Sequence, residues 1–200
     1  MTITPRNYLS YSQLVLFERS AKEYADRYIR GIEQYETINM AYGSLMADGL
    51  EHGEATGDPI LDMMIARLPK FELMDIGFEV KLGKGKGAVP LLAKPDTARA
   101  DYTAFKEYKT SVRTWTHKMA NDSDQITFYA MAMWLKTGKI PVDIELVNVP
   151  VAYNDDRSLS PTGEIVRFKT SRTMVDIIKM STRARKAWAG IQRLCEKELL

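Results

Sequence analysis

Lys94-Pro95-Asp96, then Glu107-Tyr108-Lys109 beginning eleven residues after that aspartate, then Gln125 and Tyr129, form the stretch that decides the reading of this 200-residue chain. Hydrolysis of a phosphodiester needs a hard divalent cation on the phosphate oxygens, and such cations take carboxylate, carbonyl and water oxygens. Asp96 and Glu107 offer two carboxylates. Side chains alternate along a strand, so Glu107 and Lys109 share a face, while Tyr108 turns away and leaves its backbone carbonyl free to join the metal ligands. The Lys109 ammonium then stands beside the carboxylates. There it can orient or help deprotonate an attacking water, or neutralise charge growing on the phosphate.

An Asp/Glu-x-Lys triplet says little alone, because ordinary residue usage yields roughly one in a chain of this size. Glu79-Val80-Lys81 is a second copy. The later copy is preferred because Asp96 follows another apolar run, Val89-Pro90-Leu91-Leu92-Ala93, at a spacing that suits two antiparallel strands joined by a short turn. Asp75 lies too close to Glu79 for that arrangement.

These motifs resemble the PD-(D/E)xK nuclease superfamily, and within it the RecB-like exonucleases and related phage recombination nucleases. Tyr8-Leu9-Ser10-Tyr11-Ser12-Gln13-Leu14, with Phe17 and Tyr24 beyond, is similar to the S-x-S-x-L entry into the family's first helix. The run from Tyr42-Gly43 to Glu51 is similar to the glycine-led helix of the first active-site motif. Pro95-Asp96 and Glu107-Tyr108-Lys109-Thr110-Ser111 match the namesake motif, and Gln125-Ile126-Thr127-Phe128-Tyr129 the Q-x-x-x-Y helix of the RecB-like branch. The four occur in the family's order and cover most of the chain.

The resemblance implies an α/β (α+β) fold with a restriction-endonuclease-like core, a small mixed central β-sheet flanked by helices. It implies a deoxyribonuclease dependent on Mg²⁺ or Mn²⁺, an exonuclease acting in phage or prophage recombination or repair. DNA is the expected partner, with a phage single-strand annealing or recombination protein as a further one. Gln125 and Tyr129 join Asp96, Glu107 and Lys109 in the expected catalytic set, and Ser10, Ser12, Arg113, Trp115 and Lys118 are the expected DNA contacts. Many RecB-like members carry a metal-ligating histidine where Ala47 stands here. Asp48 and Glu51, three apart on one helix, are the acidic candidates for that role, with Glu51 favoured and His52 behind it. Ala47 also motivates an alternative, a nucleic-acid-binding member of the fold with little or no turnover.

Two of these residues have plain structural readings as well. Gln125 and Tyr129 lie one helical turn apart, which also fits an inward tyrosine satisfied by its neighbour. Trp115 fits either a base-stacking surface or a loop tryptophan capping the core.

With 45% hydrophobic residues, the 200 positions suit one domain over residues 1–200. No run approaches the roughly 20 apolar residues of a membrane span, and the N-terminus lacks a signal-peptide layout, so a cytoplasmic protein is expected, in a bacterial host cell if phage-encoded. A single cysteine, Cys195, excludes an internal disulfide framework and a four-cysteine iron-sulfur cluster. One cysteine with His52 and His117 argues equally against structural zinc. The net charge is only +2, but acidic residues dominate from Glu18 to Glu79 and basic ones from Lys81 to Lys118. A second basic run holds Arg167, Lys169, Arg172, Lys179, Arg183, Arg185 and Lys186. Both suit a phosphate backbone; the second also suits ordinary solvated faces.

Hydrophobic spacing predicts helices over Ser12 to Arg30, Ile38 to His52, Ile60 to Leu68, Asp124 to Leu135 and Thr173 to Leu199. Strands are expected at Phe78 to Lys81, Pro90 to Arg99, Thr103 to Lys109, Ile144 to Val151 and Ile165 to Phe168. Gly83 to Gly87 reads as a DNA-facing turn, Arg113 to Ser123 as a loop near the site, and Asn154 to Gly163 as turn-rich.

Overall fold

In the computed structural model, which describes residues 6–33 and 35–198, the strand spine is a pair built from Ala104–Ser111 (β5) and Asp143–Tyr153 (β6). They run parallel in continuous register from Ala104 opposite Asp143 to Ser111 opposite Pro150. A parallel pair cannot be closed by a hairpin. The chain crosses over through His117–Asn121 (α5) and Asp124–Thr137 (α6). Ser123 caps α6 by accepting from the Ile126 amide, and Gly138 ends it in a left-handed conformation (φ 76°). Ile126 and every residue from Phe128 to Met133 are buried, which makes α6 the central helix of the core.

Antiparallel strands complete the sheet. Leu73–Met74 (β1) pairs with Thr97–Ala98 (β4), which pairs with β5. Leu159–Pro161 (β7) and Val166–Thr170 (β8) pair with successive parts of β6. Phe78–Leu82 (β2) and Val89–Ala93 (β3) form a separate two-stranded hairpin, to which Leu9 adds a parallel bridge at Leu91. The result is a mixed α/β fold with a mixed central sheet between helices.

Alternation along β5 and β6 sends two residue sets to opposite faces. Phe105, Ile144 and Leu146 meet Tyr11–Arg19 (α1), Ala21–Tyr28 (α2), α6 and Met174–Glu198 (α7) in the larger core. Tyr108, Val147 and Val149 meet Ile38–His52 (α3) and Pro59–Arg67 (α4) in the smaller one. On that second face Lys106 and Glu145, direct cross-strand partners, form a buried ion pair at 2.6 Å. Arg167 joins Glu145 at 2.9 Å, and the Lys106 ammonium lies 4.3 Å from the Phe71 ring centre. Burial opposes the Glu145 charge, yet Arg167 and Lys106 together hold its carboxyl below the usual range.

Several expected boundaries move. The helix expected over Ser12 to Arg30 is two, because Ser20 turns extended (φ −161°), ends α1 and caps α2 by accepting from Glu23 N at 3.1 Å. The single strand expected from Pro90 to Arg99 is two strands in different sheets, parted at Lys94-Pro95-Asp96. Helix α5 occupies part of the Arg113–Ser123 loop, and β7 part of the turn-rich run. The Gly83–Gly87 turn is not beside Asp96. It closes the opposite end of the β2–β3 hairpin, roughly 17 Å away along five residues of strand, and Gly83 lies against the Arg185 guanidinium of α7. Leu199, the expected end of the last helix, lies outside the described residues. Among those described, no helix is long and apolar enough to cross a membrane.

Helix α7 packs on α1 where Gly190 meets the Phe17 ring. A Cβ at 190 would lie 2.6 Å from Phe17 Cζ, closer than real contacts allow. Alanine normally stabilises a helix interior over glycine by roughly 0.5–1 kcal/mol, whereas overpacking costs about 1–3 kcal/mol. Gly190→Ala should therefore lower the melting temperature by about 2–8 °C, and Phe17→Leu in the same chain should recover most of it. A higher melting temperature for the single variant would show that this contact is looser than the distance implies.

Candidate active site

The carboxylates meet where the chain leaves one sheet for the other. Pro95 carries no amide proton, so this crossing forfeits no ladder donor there. Continuing the β4–β5 register by one residue sets Asp96 opposite Glu107. Asp96 Oδ2 accepts from the Tyr108 backbone amide at 2.5 Å and so stands in for a strand partner. Glu107 points to the α1–α6 face with its side chain only 3% exposed. Its Oε1 accepts from Lys109 Nζ at 2.7 Å, while its Oε2 is buried without a hydrogen-bond partner.

The electrostatics follow from one ammonium facing two carboxylates. Burial, reinforced by the Glu107 charge, pushes the Asp96 carboxyl well above its ordinary range. Burial works against the Lys109 charge, but Glu107 outweighs it, and the amine titrates above its usual value. Lys109 is thus an ammonium in this arrangement. Asp96, Glu107, Tyr108 and Lys109 line a pocket of about 300 Å³ whose opposite wall is α3, through Gly43, Met46 and Ala47 among others.

Gln125 and Tyr129 form the next part of the surface. Gln125 Nε2 donates to the Tyr129 hydroxyl at 3.1 Å, and the Tyr129 ring meets Phe105 edge to face. Burial, with Glu107 nearby, raises the Tyr129 pKa, so the side chain remains a phenol. Both residues line a cavity of about 330 Å³ with Arg6, Ser10, Ser12 and Lys94. Ser10 is the N-cap of α1, accepting from Gln13 N at 3.4 Å, and its hydroxyl lies 3.0 Å from that of Ser12. The S-x-S entry and the Q-x-x-x-Y helix, far apart in sequence, are therefore brought together.

The other expected residues are placed differently. Glu51 stands one turn beyond Ala47, with Oε2 4.0 Å from Lys94 Nζ. Lys94 has a nearer partner in Asp75 Oδ1 at 2.8 Å, and that bond raises its pKa, with Glu51 and Asp96 adding to the effect. His52 is exposed and turns Nδ1 to the carbonyl of Asp48 in its own helix, at 3.2 Å. Among the described residues, no three His, Cys, Asp or Glu side chains gather closely enough to hold a metal. Arg113 is exposed; Trp115 is half-buried against the larger core; Lys118 pairs with Asp122 on α5. The rival Glu79 and Lys81 are exposed on the β2–β3 hairpin.

Much of the second basic run holds the protein together. Arg172 is buried and donates to the carbonyls of Ala120 and Ser123 and to the Thr127 hydroxyl, while Arg183 pairs with Glu18 and Asp124. Lys94 and Asp75 are the site neighbours that the sequence motifs do not assign. Asn148 is another, buried beside Lys109 in the β5–β6 register. Its signal was one amide inside the apolar run Val147-Asn148-Val149.

The donor set fits a divalent ion of the Mg²⁺ kind. Such ions are usually bound through one or two carboxylates plus substrate and water oxygens. Asp96 and the orphaned Glu107 oxygen supply two such carboxylates with too little positive charge between them.

No protein-family model matches the chain, and no curated protein matches it in sequence. Solved structures match it in fold. A protein from Eubacterium rectale described as a putative exonuclease aligns with a TM-score of 0.60 at 13% identity, over 96% of this chain and 82% of that one. The alkaline exonuclease LHK-Exo from Laribacter hongkongensis, solved in complex with dAMP, aligns at 0.53 and 15% identity, over 96% and 92%. The same enzyme in a second structure aligns at 0.51 and 15%, over 96% and 91%. At such identities the likeness is one of fold, and that fold is nuclease-like.

Asp96→Asn tests the charge conflict. Asparagine can still accept from the Tyr108 amide but carries no charge. The Asp96 carboxyl binds its proton more tightly folded than unfolded, so its contribution to metal-free stability is present at low pH. That contribution is lost as pH rises from the unfolded carboxylate value, about 3.9, through the raised folded one. Above neutral pH, without metal, Asp96→Asn should melt higher than the parent by about 2–8 °C, or 1–2 kcal/mol. The stabilisation of the parent by added Mn²⁺ should be absent in the variant. A metal-free variant melting below the parent would remove the conflict.

Proposed function

We propose that the protein is a Mg²⁺- or Mn²⁺-dependent deoxyribonuclease, an exonuclease of phage or prophage recombination or repair. The observation that carries this reading is the unpartnered Glu107 oxygen beside the Asp96 carboxyl, whose pKa burial and Glu107 raise, with Lys109 alongside. Asp96, Glu107 and the Tyr108 carbonyl would hold the ion. When bound, it supplies Lewis-acid polarisation of the phosphate and a water acidic enough to attack near neutral pH. Lys109 carries its positive charge to the same sheet face, where it offsets charge growing on the phosphate oxygens. Tyr129 and the Gln125 amide present neutral donors, and Ser10, Ser12, Arg6 and Lys94 turn the adjoining cavity toward a second phosphate of the strand. Arg113 extends the positive charge beyond β5.

End-directed cleavage is favoured by what surrounds the site. With the Gly83–Gly87 turn at the far end of its hairpin and α5 folded against Phe168, no spare helix or ribbon near the carboxylates is left among the described residues to read bases in a groove. The dAMP bound by LHK-Exo is a mononucleotide, the kind of product that end-directed cleavage of DNA releases. A second reading, DNA binding without turnover, draws on Glu51: it lies near Lys94, and no third carboxylate joins Asp96 and Glu107 among the described residues.

Linear DNA should be consumed to mononucleotides or short oligonucleotides with Mg²⁺ or Mn²⁺, while covalently closed circles survive and EDTA stops the reaction. Asp96→Ala, Glu107→Ala and Lys109→Ala should each lower turnover by about a hundredfold or more, and Lys81→Ala should not. Activity undiminished by excess EDTA would sink the mechanism. Linearisation of the circle, with Lys109→Ala inert, would sink end-directed cleavage alone. Tight metal-dependent binding without hydrolysis would favour the second reading.

A further inference from the structure

Beyond Lys109 the sheet opens into a groove that the carboxylate chemistry does not use. Strand β5 stops at Ser111 while β6 continues to Tyr153, so past Pro150 one edge of β6 is left bare. The space there, about 500 Å³, is walled by Val112, Trp115, Pro150, Tyr153, Val166 and Phe168. It is larger than either pocket at the carboxylates and mostly apolar, yet it is left open: Tyr153 is 52% and Val112 44% exposed.

A buried polar group stands in its wall. Asn148 is 1% exposed, and its amide oxygen lies 3.0 Å from Ser111 Oγ. The Ser111 hydroxyl has one proton, and the Arg113 carbonyl is nearer at 2.7 Å. Asn148 therefore keeps hydrogen-bonding capacity to spare whichever way its amide is turned. Residues of the groove neighbour those of the carboxylate pocket on both sides of the sheet. Lys109 and Asn148 are cross-strand neighbours, and the Tyr153 hydroxyl accepts at 3.3 Å from Asn39, which lines the carboxylate pocket.

We infer that this groove holds a nucleobase of the DNA strand lying across the site, at a nucleotide next to the bond that is cut. The inference rests on the nuclease reading above and adds to it that the strand is engaged unpaired at that point, since a paired base cannot enter. A flat aromatic ligand suits walls of Trp115 and Tyr153, on which any base can stack, and the Asn148 amide offers a partner to a base edge. Arg113, exposed beside Val112, takes the flanking phosphate. Exposed Glu164 on the other rim repels phosphate and so fixes the side on which the backbone runs.

The test is equilibrium binding, in EDTA, of a labelled single-stranded oligodeoxynucleotide and of its abasic counterpart. Tyr153→Ala and Trp115→Ala should each weaken binding of the base-containing strand by about tenfold, within the roughly 5- to 150-fold that stacking of one base commands. Val112→Asp, at an exposed position, should do the same without disturbing the fold, and a melting curve checks Trp115→Ala. The abasic strand should bind the parent as weakly as the variants bind the normal one. No binding by the parent, or equal affinities for both strands in parent and variants, would overturn the inference. Hydrolysis with Mg²⁺ or Mn²⁺, measured in parallel, separates the two readings. Cleavage with base-independent binding removes the groove alone, whereas base-dependent binding without cleavage by either metal removes the nuclease reading alone.

Discussion

The hydrogen bond from the Tyr108 amide to the Asp96 carboxylate is the joint on which the molecule turns. The chain must pass from the β2–β3 hairpin into the central sheet, and at that crossing β5 has an amide with no strand opposite. A buried amide left unpaired costs roughly 1–3 kcal/mol. Asp96 supplies the acceptor, but it is also the residue set opposite Glu107. The sheet is completed by a contact that places two carboxyl groups together, so the crowding of Asp96 on Glu107 follows from the backbone pairing itself.

The same two strands show how structural and chemical ion pairs differ. Lys106 and Glu145 lie on one face, closed in by Phe71 and Arg167, with every charge answered. Glu107 and Lys109 lie on the other, one residue along, with one carboxylate oxygen unanswered and a second carboxylate crowding in. A satisfied buried pair fixes strand register. An unsatisfied one stores a preference for whatever brings the missing charge, and protein interiors rarely tolerate that without use.

How much of this could be read in the sequence depended on how local each cause was. Helix α3 spans the residues expected of it, because Thr37 and Gly53 cap it from its own flanks, and α6 runs only two residues past its expected end, to where Gly138 stops it. Ser20 also caps locally, yet the apolar spacing on both sides continues in phase and hides the break. The change of sheet at Pro95 was hidden for a similar reason: an apolar run leads into it, and only tertiary pairing decides which strand it joins. The meeting of Asp96, Glu107 and Lys109 was legible because they belong to neighbouring stretches of chain. Lys94 beside Asp75, Asn148 under the groove, and Arg172 spent on carbonyls fifty residues away depend on long-range packing, which spacing does not encode. Glu51 shows the limit most clearly, since its helix face was readable and the lysine beside it was not.

The packing of α1 on α7 has a bearing on how the molecule is made. The serine wall of the second pocket sits at the start of α1, and α1 is held by Phe17 against Gly190 and by Glu18 against Arg183, partners 165 positions apart in the latter case. Asp96 and Glu107, by contrast, are only eleven residues apart, and both have left the ribosome long before α7 is made. At ordinary rates of synthesis, the brace for α1 arrives on the order of ten to thirty seconds after α1 itself. During that interval a growing chain carries the acids without their serine-lined neighbour, so the nascent protein passes through a stage with only half of this surface built.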